Sequence, residues 1–402
     1  MLRSVLQLPN FRLLWLGQTF ILCASQFWFV ALTWLILEKT GSGLAIGTVL
    51  MAAAIPRGIF MLIGGAIGDR LPTNSVAAIA ASVNTVLIGL VAVLLFFDVF
   101  QLGTAVLIAA LFGLSEAFLY PAILALVPQV ISKPRLRQAN AWMQGSEQIT
   151  NVIGPAAAGI IIGALGLPIA FTINMVLLTV GSGFIYWVRI RRRSWTGDQL
   201  STGALAGEIM AGLRYAWKQP AIRISLLLIA TINFAILGPI VIGVAELVTV
   251  RFGGSATMFG YLQSAYGIGA LLGVLIASRL SAIKNLKTPL VLLACSLGVG
   301  LILLGFMQQA WMAAVVIALM GVGGGIVGVL GLTWLQQQTA TYMQGRMMSL
   351  VMFAAIALDP FSQAISGVLL EINLTGLFVS AGMMMLLTAL VSSLSQTSDR
   401  SR

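Results

Sequence analysis

Between Phe11 and Leu394 the sequence is a succession of long apolar runs broken by short polar punctuation, and few folds accept such a chain. A helix that crosses the hydrocarbon core of a bilayer takes about 20 apolar residues. The runs fall near 11–37, 44–68, 75–98, 103–130, 139–163, 167–188, 221–250, 256–280, 288–307, 310–336, 346–370 and 373–394. The breaks between them carry turn and loop signals such as Thr40-Gly41-Ser42 and Pro134-Arg135. The first run is too long for the apolar core of a signal peptide and is kept as a span. Charged residues make up 8% of the chain and mean hydropathy is +1.02, whereas a soluble domain carries about a quarter charged residues. The expected fold is therefore an all-α polytopic membrane protein with twelve transmembrane helices.

The net charge of +11 raises the question of a nucleic-acid partner, and its placement answers it. Positive residues accumulate in the short loops on the cytoplasmic side of a membrane protein. Of the 22 Lys and Arg residues, only Lys39 and Arg251 fall in odd-numbered connections and Arg57 lies within a span, which leaves nineteen in the even-numbered connections and the ends. Both termini are thus expected in the cytoplasm, and the charge reports orientation, not nucleic-acid binding. The longest connection, 189–220, opens with Arg189-Ile190-Arg191-Arg192-Arg193. Within it, 204–218 reads as an amphipathic helix with Leu205, Ile209, Leu213 and Trp217 on one side, suited to the inner membrane surface and its anionic lipid.

The two halves repeat. Arg70 and Arg279 end spans 2 and 8, Arg137 and Arg346 open spans 5 and 11, and each pair is 209 residues apart. Gly41-Ser42 to Gly47 recurs as Gly254-Ser255 to Gly260, offset by 213. A consistent offset implies a duplicated bundle, read as a six-helix half over 1–188, a linker over 189–220 and a second half with a short tail over 221–402. Parallel halves of this kind hold a substrate site near the bilayer midplane.

Ionisable groups within spans are costly and mark functional candidates. Arg57 lies near the middle of span 2 on the face of Ala53, Met61, Gly64 and Gly68. Glu116 is central in span 4, near Gly113 and one turn from Tyr120; Glu147 shares a polar stripe with Asn140, Gln144 and Asn151 in span 5. Asp359 is read as central in span 11, with Ser362, Gln363 and Ser366 on its face. The chain has no histidine, so proton coupling would fall to carboxylates or water; the candidates are Glu116, Asp359 and Glu147, with Arg57 as partner or anionic-substrate contact. Each could instead make a structural interhelical hydrogen bond. At the end of span 2, Gly65 favours close helix approach, Asp69 can accept from a helix N-terminus and Arg70 can pair with a carboxylate or lipid phosphate.

These motifs resemble the major facilitator superfamily, whose loop between spans 2 and 3 carries Gly-x-x-x-Asp-Arg-x-Gly-Arg-Lys. Gly65, Asp69 and Arg70 match; Pro72 replaces the later glycine and Thr73-Asn74 the basic pair. Gly154-Pro155 and Gly159 in span 5 are similar to the Gly-Pro-x-x-Gly-Gly element of the superfamily's antiporters, with Ala158 at its first final glycine. Asn10-Phe11-Arg12, Trp15, Gly17-Gln18, Ile55-Pro56-Arg57, the 212–217 segment and Gly345-Arg346-Met347-Met348 resemble the exporter branch with macrolide-efflux and enterobactin-exporter proteins. The resemblance implies two six-helix bundles, a gating role for Gly65, Asp69 and Arg70, and an antiporter role for Gly154, Pro155 and Gly159. It also implies a cavity lined by spans 1, 4, 7 and 10. Gln18, Ser25, Trp28, Tyr120 and Asn233 are the cavity candidates beside Arg57, although aromatic residues on such spans can equally face lipid or core.

Several chemistries are disfavoured. Cys23 and Cys295 lie far apart in apolar runs, which argues against a disulfide framework or thiolate metal site. The glycines from Gly321 to Gly328 lie mid-span with no following Lys-Ser or Lys-Thr, so they are not a phosphate loop. No enzymatic constellation stands out, and no cofactor or metal is expected. The reading is a monomeric secondary exporter of small amphipathic molecules, of the drug or siderophore class, coupled to a proton in a bacterial inner membrane. Alternatives are an importer or facilitator of the same fold and a non-transporting sensor or scaffold.

Overall fold

A computed structural model describes residues 5–68, 72–132, 135–190, 219–280, 287–338 and 358–394, together with Arg214 and Trp217. Helices α1 to α6 span Pro9–Thr40, Gly43–Gly68, Thr73–Phe96, Leu102–Val130, Leu136–Leu165 and Leu167–Tyr186. Helix α7 begins as Pro220–Gly238 and continues through a π turn at Pro239–Gly243, Val244–Glu246 and a second π turn at Leu247–Arg251. Helices α8 to α12 are Ala256–Ala277, Lys287–Phe306, Ala310–Gln338, Asp359–Ile372 and Leu374–Leu394. The all-helical, twelve-helix expectation holds. Among the described residues eleven helices are long and apolar enough to cross a membrane; of span 11 the described part is α11, 14 residues long. The amphipathic segment 204–218 lies outside the described residues apart from Arg214 and Trp217.

Local sequence sets the helix ends. Pro9 occupies the first turn of α1, where a missing N–H costs no helical bond. Gly41, at φ 60°, ends that helix in the left-handed conformation, and its N–H reaches Leu37 O at 2.8 Å. The left-handed counterpart after α7 is Gly253, at φ 57°, one residue before the Gly254 that marks the sequence repeat. Pro360 likewise sits in the first turn of α11.

The chain forms two compact units. The first comprises Met1–Gly41, Thr48–Gly197 and Gly254–Ser264; the second comprises Ser42–Gly47, Asp198–Gly253 and Ala265–Arg402. The first turn of α2 thus belongs with the second unit, and the start of α8 with the first. In the first unit α3 packs along α6 and α4, and α1 along α5 and α6. The second repeats the scheme, with α9 along α12 and α10, and α7 along α11 and α12. Phe11, Phe27 and Phe171 are fully buried in the first unit and Phe378 in the second. Ile79, Val86, Leu292 and Leu319 are each 65–69% exposed, an outward apolar surface that a bilayer solvates and water does not.

Candidate functional site

The interior charge of the first unit is built on a glycine. At the crossing of α2 and α4, a side chain on Gly113 would collide with the backbone carbonyl of Ala53, so the two helices meet backbone to backbone. One turn along α2 from Ala53 stands Arg57, and three residues along α4 from Gly113 stands Glu116. The crossing brings them into electrostatic reach of each other. A third helix completes the group, because Asn84 Nδ2 of α3 donates to Glu116 Oε1 at 3.1 Å. Asn84 is fully buried. Further along α4, Tyr120 lies within electrostatic reach of Glu147 on α5. Four of the residues singled out from sequence therefore gather in one unit; Asn84, which sequence reasoning passed over, joins them. A lone amide in the apolar run of span 3 was its available signal.

The cavity candidates on α1 occupy different settings. Gln18 is 7% exposed and its Oε1 is buried without a hydrogen bond, whereas Ser25 is half-buried. Trp28, 3% exposed, stacks on Phe112 with ring centroids 4.5 Å apart and meets Phe171 edge-on at 6.0 Å. Its ring fills the core between α1, α4 and α6.

A polar seam joins α1 and α5. Trp15 Nε1 donates to Ser146 Oγ at 2.6 Å, and Gln26 Nε2 donates to Asn151 Oδ1 at 2.7 Å. Gly154 lies under Gln26, whose Cβ would be 2.7 Å from an added side chain. Pro155 and Gly159 continue onto the start of α8, where a Cβ on Gly159 would stand 2.5 Å from Ala256 O and 3.1 Å from Gly260 Cα. Thr257 Oγ1 donates to Gly159 O at 3.1 Å. The second unit has its own version at the start of α2. A Cβ on Gly47 would be 2.7 Å from Gln363 O, one on Gly367 would be 2.9 Å from Gly43 O, and Ser42 Oγ donates to Glu371 Oε1 at 2.5 Å. The repeated glycines Gly47 and Gly260 thus lie at helix crossings.

In the second unit Asp359 stands in the first turn of the described α11, with Ser362, Gln363 and Ser366 buried beside it. Asn233 of α7 is half-buried and donates from Nδ2 to Ile229 O of its own helix at 2.9 Å. The glycine-rich stretch of α10 serves close packing. Side chains on Gly321 and Gly325 would strike the carbonyls of Tyr266 and Ala270, and one on Gly269 the carbonyl of Ala318. Asp69 and Arg70 lie outside the described residues, as does Arg346, and Gly65 is described only as part of α2.

The family model of the Major Facilitator Superfamily matches residues 14–358. Among curated proteins, the multidrug efflux pump Tap of Mycolicibacterium fortuitum is 27% identical over 90% of each chain. The macrolide efflux protein A of Streptococcus pyogenes is 20% identical over 75% of this chain and 74% of its own. The enterobactin exporter EntS of Escherichia coli O1:K1 is 23% identical over 76% of this chain and 72% of its own. Among solved structures, the nucleoside transporter NupG superposes with a TM-score of 0.77 over 96% of this chain and 99% of its own, at 11% identity.

Proposed function

The chain belongs to the Major Facilitator Superfamily, and on that premise we propose that it is a secondary exporter of small amphipathic organic molecules, driven by proton antiport through alternating access. The observation that carries the reading is the Arg57, Asn84 and Glu116 group inside the spans of the first unit. A carboxyl that alternates between guanidinium contact and apolar surroundings binds and releases one proton per cycle. Asn84 holds one oxygen of Glu116 and so orients the group for that exchange. Glu147 and Asp359 are proposed as further stations on the proton path.

The substrate class is supported by the relatives, which are named as a multidrug efflux pump, a macrolide efflux protein and an enterobactin exporter. Gln18, Ser25, Tyr120, Asn233 and Arg57 are proposed to line the substrate path, whereas Trp28 is packed on Phe112 and Phe171. The unpartnered Gln18 Oε1 is a buried acceptor that a ligand donor would satisfy. Gly154, Pro155 and Gly159 support the antiport assignment, Gly65, Asp69 and Arg70 the cytoplasmic gate, and the distribution of Lys and Arg a cytoplasmic location for both termini. The division at 1–188, 189–220 and 221–402 and a monomeric working unit complete the proposal.

Erythromycin uptake into inside-out membrane vesicles tests the direction of transport. An exporter accumulates the drug there under an imposed pH gradient. Accumulation confined to right-side-out vesicles would replace export by import, and none in either orientation with any macrolide or siderophore would remove the substrate class.

A further inference from the structure

Helix α7 carries an irregularity that the proposed chemistry does not use. In a regular helix the Gly238 N–H bonds to Phe234 O four residues back. Here Gly238 N donates to Ser362 Oγ of α11 at 2.9 Å, and Ser362 Oγ donates to Phe234 O at 2.5 Å. One hydroxyl from a neighbouring helix thus bridges both ends of a single rung. The next residue is Pro239, which has no N–H to offer the ladder, and a π turn follows over Pro239–Gly243. An inserted side chain, a proline and a π bulge are each recognised causes of helix bending. All three coincide between Phe234 and Gly243.

The surroundings fix the hydroxyl in place. Ser362 is 1% exposed, so water does not compete for the rung. Gly238 lets α11 come close, since a side chain there would collide with Ser366 Oγ and stand 2.5 Å from Ser362 O. The bridge has one further property. If α11 draws away, Gly238 N–H and Phe234 O are left facing each other and can bond directly, so neither backbone group of the rung is orphaned. The rung therefore has two satisfied arrangements, one with the hydroxyl inserted and one without it.

We propose that Ser362 is a positioning residue: its hydroxyl carries the Gly238–Phe234 rung, so that the position of α11 sets the bend of α7 and with it the placement of Asn233. The link to Asn233 rests on the transporter reading; the two arrangements of the rung do not. Coupling between α11 and α7 then needs no charge at this point. The backbone of α7 is itself the moving part.

Spin labels at the exposed positions Leu227 and Val250 of α7, in a variant with Cys23 and Cys295 replaced by serine, read the bend directly. A straight α-helix would place their backbones about 35 Å apart, and a bend shortens that span. The expected result is a shorter distance in the parent, lengthened toward the straight value by Ser362→Ala, which lets the rung close directly. Pro239→Ala restores a donor and shifts the distance the same way by an independent route. Ser366→Ala removes a neighbouring hydroxyl that does not bridge the rung and leaves the distance unchanged. Identical distances in the parent, Ser362→Ala and Pro239→Ala would overturn the proposal, as would a shift in Ser366→Ala equal to that in Ser362→Ala. In proteoliposomes Ser362→Ala is expected to lower the maximal rate of erythromycin transport severalfold, with Ser366→Ala near the parent. A distance shift with no erythromycin transport by any form counts against the transporter reading and leaves the two-state rung standing; parental transport by a straightened Ser362→Ala protein removes the positioning role.

Discussion

The α2–α4 crossing and the α8–α10 crossing occupy corresponding places in the two halves, but they contain different chemistry. The first uses Gly113 against Ala53 and sets Arg57 and Glu116 immediately beyond the contact. The second spends glycines on both helices, Gly269 and Gly273 on α8 and Gly321 and Gly325 on α10. Neither α8 nor α10 contains Lys, Arg, Asp or Glu. Close approach is thus a shared property of the duplicated bundle, and charge is an addition on one side. The α1–α5 and α7–α11 seams differ in the same sense. α1 is continuous and joined to α5 by side-chain pairs, whereas α7 is interrupted and joined to α11 through its own backbone. In this reading the first unit holds the principal proton site and the second adds a mechanical joint.

The largest expected effects come from filling the crossings. Gly113→Leu and Gly325→Leu both drive a side chain into a backbone carbonyl, and overpacking of this kind costs about 1–3 kcal/mol or more. Thermal unfolding in detergent should show comparable losses for the two. Transport in whatever folded fraction remains should lose its response to pH only with Gly113→Leu. Equal loss of that response would erase the distinction between the crossings.

Glu116→Gln keeps the shape and removes the charge. It should leave folded yield near the parent's and abolish proton-driven accumulation, which a vesicle uptake assay with and without a pH gradient reads. Asn84→Ala tests the same group more gently. It removes the donor to Glu116 Oε1, a bond that favours the ionised carboxylate over the neutral acid, and should displace the pH midpoint of transport without abolishing it. An unchanged midpoint would take Asn84 out of the mechanism.

Arg251 sharpens the comparison from the other side. Its Nη1 donates to Gly305 O at 2.6 Å and to Met307 O at 3.3 Å, and its Nη2 donates to Thr375 Oγ1 at 2.9 Å. It ties the end of α7 to the ends of α9 and α12. Arg251→Met should lower stability by about 1.5–3 kcal/mol and leave the pH dependence of transport in place.

The smallest effect is expected at the exposed pair of Lys39 and Asp98, 2.8 Å apart. The hydrogen bond from the Lys39 ammonium, and then its charge, hold the Asp98 carboxyl below the usual carboxylate range. A lowered folded value means that the contribution is present above the unfolded value, about 3.9, and disappears as pH falls through the folded one. Asp98→Asn should therefore cost slightly at pH 7 and nothing in strong acid. Such exposed pairs contribute little and fade with salt.

The spans, the duplication and the family were legible because each rests on long-range statistics of apolarity, glycine and charge. Arg57 and Glu116 stood out because a charge within a span has few structural excuses. Asn84 did not, since a neutral amide in an apolar run leaves no periodic trace; only the crossing fixed by Gly113 turns it toward Glu116. Trp28 reads from sequence as a lipid-facing or packing residue ahead of a ligand-facing aromatic, and its partners Phe112 and Phe171 come from distant segments. The bridge at Ser362 was least legible. In the sequence Ser362 is one hydroxyl on the face of Asp359, and Pro239 has no spacing that pairs it with a residue more than a hundred positions away.

The central claim is that Glu116 carries the coupling proton of an exporter. The most direct measurement follows proton flux with an internal pH-sensitive dye in proteoliposomes while an erythromycin gradient is imposed and no pH gradient is present. Net movement of protons opposite to the drug in the parent, and drug movement without proton flux in Glu116→Gln, is the predicted result. Proton counterflow in Glu116→Gln equal to the parent's, or none in the parent while the drug moves, contradicts the account.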